Sequence, residues 1–284
     1  AEAYVPLAVS GLMEVFKKRF AEAWGVRMEH VLRNALYAIL DTGGGWLSDI
    51  LRMLSDTDYR KAIAKRVKNE TVRIFWEAEF PAYADRYRAE SAAPIQNKIS
   101  AFLADPRMRL LVTAPQVQIS FRRAMDAGQI LVVNLARGTV GEDSSSLLGA
   151  LLVTSIALAA YSRAGISENG RLIHYLYVDE FQSMTTLAVA DMISELRKYR
   201  LALVLAHQHM GQLEKDVQHA VIGNAGTLIS FRVGAEDAQL ISKEFMDVVT
   251  IEDLVDLANF TVYLRLMLDG EPSRPFRATT LNAK

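Results

Sequence analysis

LIHYLYVDEFQS, residues 172–183, is the segment from which the fold can be inferred. It begins as a run of mostly large apolar residues and ends on two adjacent carboxylates, Asp179 and Glu180. A short run rich in aromatic and β-branched residues is typical of a buried strand. Neighbouring carboxylates repel each other, so the end of this strand needs something that offsets its negative charge.

The two carboxylates have two interpretations. In parallel α/β sheets, ligands bind at the carboxyl ends of the strands, where this pair would lie. A hydrated Mg²⁺ oriented by Asp179, with Glu180 activating a water molecule, would be the Walker B arrangement. A helix cap or a solvated acidic pair explains the same residues equally well. The segment alone leaves both interpretations open.

Predicted strands and helices alternate around this segment. Helices are predicted at 146–162 and around 186–199. Strands are predicted at QILVVNL (129–135), LALVLAHQ (201–208), GTLISFRV (226–233), FTVYLRLML (260–268) and FRATTL (276–281). Such alternation predicts βαβ units and an α/β fold with a mostly parallel sheet.

Residues 1–110 have a different pattern, which predicts an all-helical domain. Asp105-Pro106 ends the series of helices. The α/β domain is then predicted to cover 111–284. Apolar residues at three- and four-residue spacing predict helices at 10–24, 28–42, 47–55, 58–67, 70–90 and 92–104.

Composition narrows the class of protein. The 284 residues are 51% hydrophobic, which suffices for a full core, and the net charge of −1 does not indicate a globally basic nucleic-acid-binding protein. The absence of Cys excludes disulfides and thiolate metal sites and favours a reducing, cytoplasmic compartment. The apolar run 147–161 is shorter than a membrane span needs, so we expect a buried helix there.

Polar residues follow the strands after 172–183. Gln208 ends an apolar strand and could position a water molecule or contact a γ-phosphate. Arg232 ends the next strand, and Arg197 ends the helix between the first two, so either guanidinium could stabilise charge on a phosphoryl group. A strand-end cap, a surface ion pair and a helix C-terminal cation are the simpler explanations of Gln208, Arg232 and Arg197, respectively.

Four segments carry a resemblance to a known family. They are YLYVDEFQS, SELRKYRLALVLAHQ, GNAGTLISFRVGAEDA and SRPFRATTL. They resemble the HerA/FtsK superfamily, in particular the TraG/TraD-like conjugative coupling ATPases of type IV secretion. The resemblance covers most of 129–281 and, less specifically, the helical part.

The resemblance implies a RecA-like P-loop ATPase core with an all-helical insertion, which residues 8–105 would form. It implies a Walker B pair at Asp179 and Glu180, a sensor at Gln208, and inter-subunit fingers at Arg197 or Arg232. It also implies ATP and Mg²⁺ as cofactors, with Mg²⁺ held through water by Asp179. DNA, a hexameric ring and secretion-channel or membrane partners are the implied partners. The expected location is the cytoplasm, or the inner face of the membrane through segments outside this sequence.

The sequence departs from this family in one respect. It contains no Gly-Lys dipeptide, so it lacks the P-loop whose amides and Lys hold the phosphates. We expect that the sequence begins downstream of a P-loop in a longer polypeptide. The alternative is a non-catalytic coupling or recruitment module that retains the fold.

Two weaker signals lie in the helical part. Lys61, Lys65 and Lys68 form a basic stretch that could contact DNA phosphates, although a solvated surface is the simpler explanation. The aromatic residues of 76–90 could stack on a single strand. Their spacing of three or four residues instead predicts packing into the core.

Overall fold

The computed structural model describes residues 4–113, 119–184 and 192–281, without the side chains of Arg19 and Ala23. The chain divides into two compact units. The first contains the residues up to His174 together with Lys198–Leu201, and the second contains Tyr175–Arg197 and the residues from Ala202 onward.

The first unit is helical, as the periodicity predicts. Asp56 caps the fourth helix by accepting the amides of Asp58 and Tyr59, which explains why the chain starts a new helix there. The helices are Val5–Arg19 (α1), Val26–Asp41 (α2), Leu47–Ser55 (α3), Thr57–Ala64 (α4), Glu70–Ile74 (α5), Phe80–Ala82 (α6), Asp85–Ala104 (α7), Pro106–Thr113 (α8), Phe121–Asp126 (α9), Arg137–Val140 (α10) and Glu142–Tyr161 (α11).

The aromatic segment lies in the core of this unit. Trp76 and Phe80 are almost completely buried, and their rings contact each other and the ring of Phe75. Their expected packing is therefore confirmed. The single helix predicted over 70–90 is wrong, because a π-helical turn at Phe75–Glu79 follows α5 and the backbone becomes extended at Tyr83.

Helices α8 to α11 also belong to the first unit. Helix α11 packs against α1 and α9, so the compact unit extends past Asp105-Pro106. The division does not coincide with the predicted domain boundary at 110, which stays a prediction. The segment Glu142–Gly165 is long and apolar enough to cross a membrane, but half of it is buried against other helices. This burial agrees with the expected core helix.

A parallel pair of strands, β1 (His174–Val178) and β2 (Leu201–Leu205), belongs to the second unit apart from the first residue of each strand. Both strands run in the same direction, since His174 donates to the carbonyl of Arg200 and Ala206 donates to the carbonyl of Val178. The predicted helix around 186–199 lies partly outside the described residues. Residues 192–195 are helical, and a 3₁₀ turn at Leu196–Tyr199 leads into β2.

The remaining strands correct the prediction of a mostly parallel sheet. The strands are Leu228–Ser230 (β3), Thr261–Arg265 (β4), Met267–Leu268 (β5), Glu271–Pro272 (β6) and Phe276–Thr279 (β7). They form an antiparallel sheet in the order β3-β4-β7 and an antiparallel β5-β6 hairpin. For β5-β6, and for β4-β7 beyond them, the reason is local: Asp269 and Gly270 have positive φ angles and close a tight turn, which can only join antiparallel strands.

After β2, the described residues of the second unit include the helices Lys215–Asn224 (α12), Ala235–Glu244 (α13) and Ile251–Val255 (α14). Helices α13 and α14 pack together around Phe245 and Leu254, and Tyr263 of β4 contacts this cluster. The face of β4 that carries Tyr263 is therefore covered, which fixes the path of the chain from β3 back to β4.

The predicted strand at 129–135 is wrong. Residues 129–136 form no ladder with another described segment, and Ile130 and Val132 are each 91% exposed. β-branched residues favour extended backbone, but a strand is stable only when a neighbour accepts and donates its hydrogen bonds. The composition of this segment could not reveal whether such a neighbour is present.

Candidate functional site

Asp179 and Glu180 directly follow β1, as predicted. The amide of Glu180 donates to Asp179 Oδ1 at 2.9 Å. Glu180 has a left-handed backbone with φ of 49°, which turns the chain sharply into the 3₁₀ turn Phe181–Ser183. This turn has no side-chain cap. The carboxylates therefore do not cap this 3₁₀ turn.

Gln208 lies next to Glu180. Because β1 and β2 are parallel neighbours, their carboxyl ends meet at one edge of the pair. Gln208 Nε2 donates to Glu180 Oε1 at 3.4 Å, a long hydrogen bond. Asp179 and Gln208 are exposed and Glu180 is half-buried, so a ligand can reach all three side chains.

The residues beside Gln208 are firmly packed. The ring of His207 contacts the ring of the buried Phe181, with 5.1 Å between centroids, and His207 Nε2 also contacts the sulfur of Met210. Burial lowers the pKa of His207; the carboxylate of Asp237 opposes this shift and His209 adds to it. His207 is therefore a neutral packing residue at pH 7.

Asp237 is a site residue that the sequence reasoning missed. It lies in the first turn of α13 and is buried, and its Oδ2 accepts the amide of Met210 at 3.1 Å. His209 Nδ1 lies 3.8 Å from the same oxygen. The only signal in the sequence is an acidic residue in the first turn of a helix, which occurs in many helices without a further role.

Arg197 and Arg232 are both exposed. Arg197 lies in the 3₁₀ turn before β2, and Arg232 lies two residues beyond the end of β3, not on the strand itself. Within residues 4–113, 119–184 and 192–281, neither guanidinium contacts Asp179, Glu180 or Gln208 or forms an ion pair. The structure therefore brings together the carboxylates and Gln208 but not the arginines.

The predicted basic stretch lies in the helical unit. Lys61, Lys65 and Lys68 are all exposed, but only Lys61 lies within α4. Lys65 follows the last residue of this helix and Lys68 lies in the loop before α5, so they do not form one helix face. The neighbouring Arg60 is buried and donates to the carbonyl of Met53 at 3.0 Å.

Magnesium fits the donor set at the end of β1. No group of three or more His, Asp or Glu side chains that could hold a metal occurs among the described residues. Mg²⁺ does not require such a group, because it keeps several waters and binds through one or two carboxylates together with substrate phosphates. Asp179, exposed at a strand end, offers a carboxylate of this kind.

A protein-family model matches the part of the chain that contains this site. Residues 174–252 match the family model described as the TraM recognition site of TraD and TraG. The match includes both carboxylates, Gln208, both arginines and Asp237. No curated protein sequence matches the chain.

Solved structures have the same fold over almost the whole chain. The plasmid coupling protein TrwB in complex with an ATP analogue is 15% identical with a TM-score of 0.61, over 98% of this chain and 68% of TrwB. TrwB with ADP and Mg²⁺ has the same TM-score and coverage at 14% identity. VirB4 of Thermoanaerobacter pseudethanolicus is 13% identical with a TM-score of 0.59, over 97% of this chain and 69% of VirB4.

The chain thus has the fold that the plasmid coupling protein TrwB and VirB4 share with it. The likeness in structure establishes the fold alone, while the family match adds a sequence relationship over 174–252. The predicted resemblance is confirmed: residues 174–252 match the TraD and TraG family model, and the chain has the fold of a conjugative coupling protein.

Proposed function

We propose that this chain carries the Walker B half of the ATPase site of a DNA-coupling or DNA-translocating protein of conjugation or type IV secretion. The P-loop would come from another part of a longer polypeptide, since the sequence has none. The complete protein would act as a hexameric ring in the cytoplasm or at the inner face of the membrane, with DNA and a secretion channel as partners.

The observation that carries this proposal is the contact between Glu180 and Gln208 beside Asp179. An amide and two carboxylates meet at the carboxyl ends of two parallel strands, where nucleotide phosphates are bound in α/β proteins. Asp179 would hold Mg²⁺ through water, and the ion would neutralise charge on the phosphates of ATP. Glu180 would accept a proton from the attacking water.

Gln208 would report the state of the nucleotide. Its amide can bond either to Glu180 or to the attacking water and γ-phosphate, so loss of the phosphate changes its hydrogen bonds. Arg197 and Arg232 have no ion pair within the part of the chain that the structure describes. Exposed, uncompensated guanidinium groups suit contact with the phosphates of a neighbouring subunit.

Binding of ATP and its hydrolysis test the proposal directly. In the full-length protein that supplies a P-loop, Gln208→Ala should lower turnover while leaving nucleotide affinity nearly unchanged. Gln212→Ala, in the neighbouring 3₁₀ turn, is the matched control. If the full-length protein binds no ATP, or if Gln208→Ala has no effect, the catalytic proposal fails.

A second candidate function is recruitment without catalysis. It is favoured by the family model itself, which is described as a TraM recognition site and covers 174–252. In this case the chain would bind a TraM-like protein whether or not nucleotide is present. If Asp179→Ala and Glu180→Ala leave the affinity for such a protein unchanged, recruitment without catalysis is favoured.

A further inference from the structure

The buried carboxylate of Asp237 holds the backbone next to Gln208. Its Oδ2 accepts the amide of Met210 at 3.1 Å, and no other acceptor for this amide occurs among the described residues. Asp237 and Met210 are 7% and 4% exposed, so water has little access to either group. An unpaired buried amide is costly, which makes this single hydrogen bond important for the local backbone.

The contacts of Met210 leave the backbone beside Gln208 little freedom. The carbonyl of Met210 accepts Gln218 Nε2 at 3.2 Å and the amide of Leu213 at 2.9 Å. On the other side of Gln208, the ring of His207 contacts Phe181 and the sulfur of Met210. Gln208 itself is exposed and makes only the long contact with Glu180 among the described residues. Its orientation therefore depends on the anchored residues on both sides.

Asp237 also connects two parts of the candidate site. It belongs to the first turn of α13, which begins three residues after Arg232. The segment between them is fixed, since Val233 donates to the carbonyl of Leu254 at 3.3 Å. The hydrogen bond from Met210 to Asp237 thus joins the loop that carries Gln208 to the helix that follows Arg232.

We propose that Asp237 is a positioning residue that holds Gln208 in its orientation toward Glu180 through the backbone of Met210. This inference rests on the proposed role of Gln208 in hydrolysis. The hydrogen bond, not the negative charge, carries the effect, because the nearest other polar group, His209 Nδ1, lies 3.8 Å from Asp237 Oδ2, beyond hydrogen-bond distance, on a side chain that is 63% exposed.

Amide hydrogen exchange of the 284-residue chain tests the contact itself. Asp237→Ala should accelerate exchange of the Met210 amide by about tenfold, because the amide loses its acceptor. Asp237→Asn keeps an acceptor oxygen, so the exchange rate of the Met210 amide should stay within about twofold of the rate in the unchanged chain. Glu236→Ala, an exposed acidic residue in the same helical turn, is the matched control and should have no effect. Protection of Met210 that survives Asp237→Ala would overturn the proposal.

Turnover of the full-length protein with its P-loop tests the action through Gln208. Asp237→Ala should lower kcat by about 10- to 100-fold with little change in KM for ATP, since misplacement of a group by about an ångström has effects of this size. The double variant Asp237→Ala with Gln208→Ala should have the same kcat as Gln208→Ala alone, because Asp237 acts only through Gln208. Losses that multiply in the double variant, or a rise in KM alone, would contradict positioning of Gln208.

The two experiments separate this inference from the proposed function. If Gln208→Ala leaves turnover unchanged, the proposed function has failed, while hydrogen exchange still decides whether Asp237 holds Met210. If Asp237→Ala does not fold, Asp237→Glu replaces it, because the longer side chain keeps the charge but displaces the acceptor. Asp237→Glu that loses protection of the Met210 amide but keeps full turnover would overturn the proposal, as would retained protection with turnover lowered as far as in Gln208→Ala.

Discussion

At the scale of single residues, the turn after β1 determines the chemistry that the chain can support. The left-handed Glu180 costs roughly 1 kcal/mol, since its Cβ approaches the backbone in this conformation. This turn places the side chain of Glu180 beside Gln208 instead of continuing the strand. The sequence predicted that Asp179, Glu180 and Gln208 lie at this edge, but the backbone conformation that brings Glu180 and Gln208 together was not predictable from residue types.

Glu180→Gln tests the role of this carboxylate. In the full-length protein with a P-loop, hydrolysis should fall by at least about 100-fold, because an amide cannot act as a general base. ATP should still bind, since the two side chains are nearly isosteric. Phosphate release and equilibrium nucleotide binding measure the two properties separately.

Glu195→Gln provides the control for this substitution. Glu195 is an exposed carboxylate of the same unit that lies away from the end of β1 in sequence, and its loss should leave hydrolysis unchanged. If Glu180→Gln weakens ATP binding as much as it lowers turnover, Glu180 has a structural role.

At the scale of elements, amphipathic periodicity predicted helices well and strand pairing poorly. Helices α2 and α3 begin and end within a few residues of their predicted bounds. A helix forms its hydrogen bonds within its own segment, and the three- to four-residue spacing of its apolar residues identifies its buried face. The segment 129–135 has strand composition but no ladder, since strand formation depends on a distant partner. Asp237 was missed for the same reason: its partner Met210 is a tertiary contact.

Gly11→Ala tests the packing of α1 against α11. A Cβ at Gly11 would lie 2.6 Å from Thr154 Cγ2, which is closer than real contacts allow. The clash should lower the free energy of unfolding by about 1–3 kcal/mol. Replacing Gly by Ala within a helix raises it by about 1 kcal/mol, which is less than most of this loss. Urea denaturation should therefore report lower stability for Gly11→Ala.

A second substitution separates the clash from other effects. Gly11→Ala combined with Thr154→Ser removes the clashing methyl group and should be more stable than Gly11→Ala alone. Gly223→Ala places a Cβ in open space within α12 and should be neutral or stabilising by up to about 1 kcal/mol. Equal losses of stability in Gly11→Ala and in the double variant would exclude the steric explanation.

The salt dependence of DNA binding tests the basic stretch around α4. Replacement of Lys61, Lys65 and Lys68 by Gln should reduce the slope of log affinity against log salt by about 2 to 3, if each neutralises one phosphate. The control replaces Lys17 and Lys98, exposed lysines on other helices, and should leave the slope unchanged. An unaltered slope in the triple variant would assign this stretch to ordinary solvated surface.

At the scale of the whole molecule, the ATPase site that we propose is incomplete within this sequence. The family match, the fold and the contact of Glu180 with Gln208 agree with an ATPase site. The missing Gly-Lys dipeptide removes the phosphate-binding loop from this sequence. The absence of this dipeptide can be read from the sequence, whereas the antiparallel strands β3, β4 and β7 were not predicted because strand direction depends on the connections.

The isolated chain should not hydrolyse ATP measurably. Nothing in its sequence replaces the Lys and the loop amides that hold the β- and γ-phosphates in a P-loop. Release of phosphate in the presence of Mg²⁺ is the measurement, and the chain with Glu180→Gln provides the background. Magnesium-dependent turnover that Glu180→Gln abolishes would show that this chain binds nucleotide by other means.

At least one of Arg197 and Arg232 should act on the nucleotide of a neighbouring subunit. Both are exposed, and neither reaches Glu180 within the described parts of its own chain. An arginine supplied by a neighbour stabilises transition-state charge and is worth roughly 10³–10⁵ in rate. In the full-length protein, Arg232→Ala should therefore lower kcat strongly and change nucleotide affinity little.

Mixed rings decide between action across subunits and action within one subunit. We combine a subunit that carries Arg232→Ala with a subunit that carries Glu180→Gln. If Arg232 acts across the boundary, the intact Glu180 of the first subunit can use the arginine of the second, and the mixture should regain activity that neither pure ring has. If it acts within its own subunit, every site remains defective and no mixture recovers.

The same experiment with Arg197→Ala ranks the two residues. We expect recovery for Arg232 first, because α13 and the contact of Val233 with Leu254 hold its segment. Failure to recover with either arginine would exclude the action across subunits.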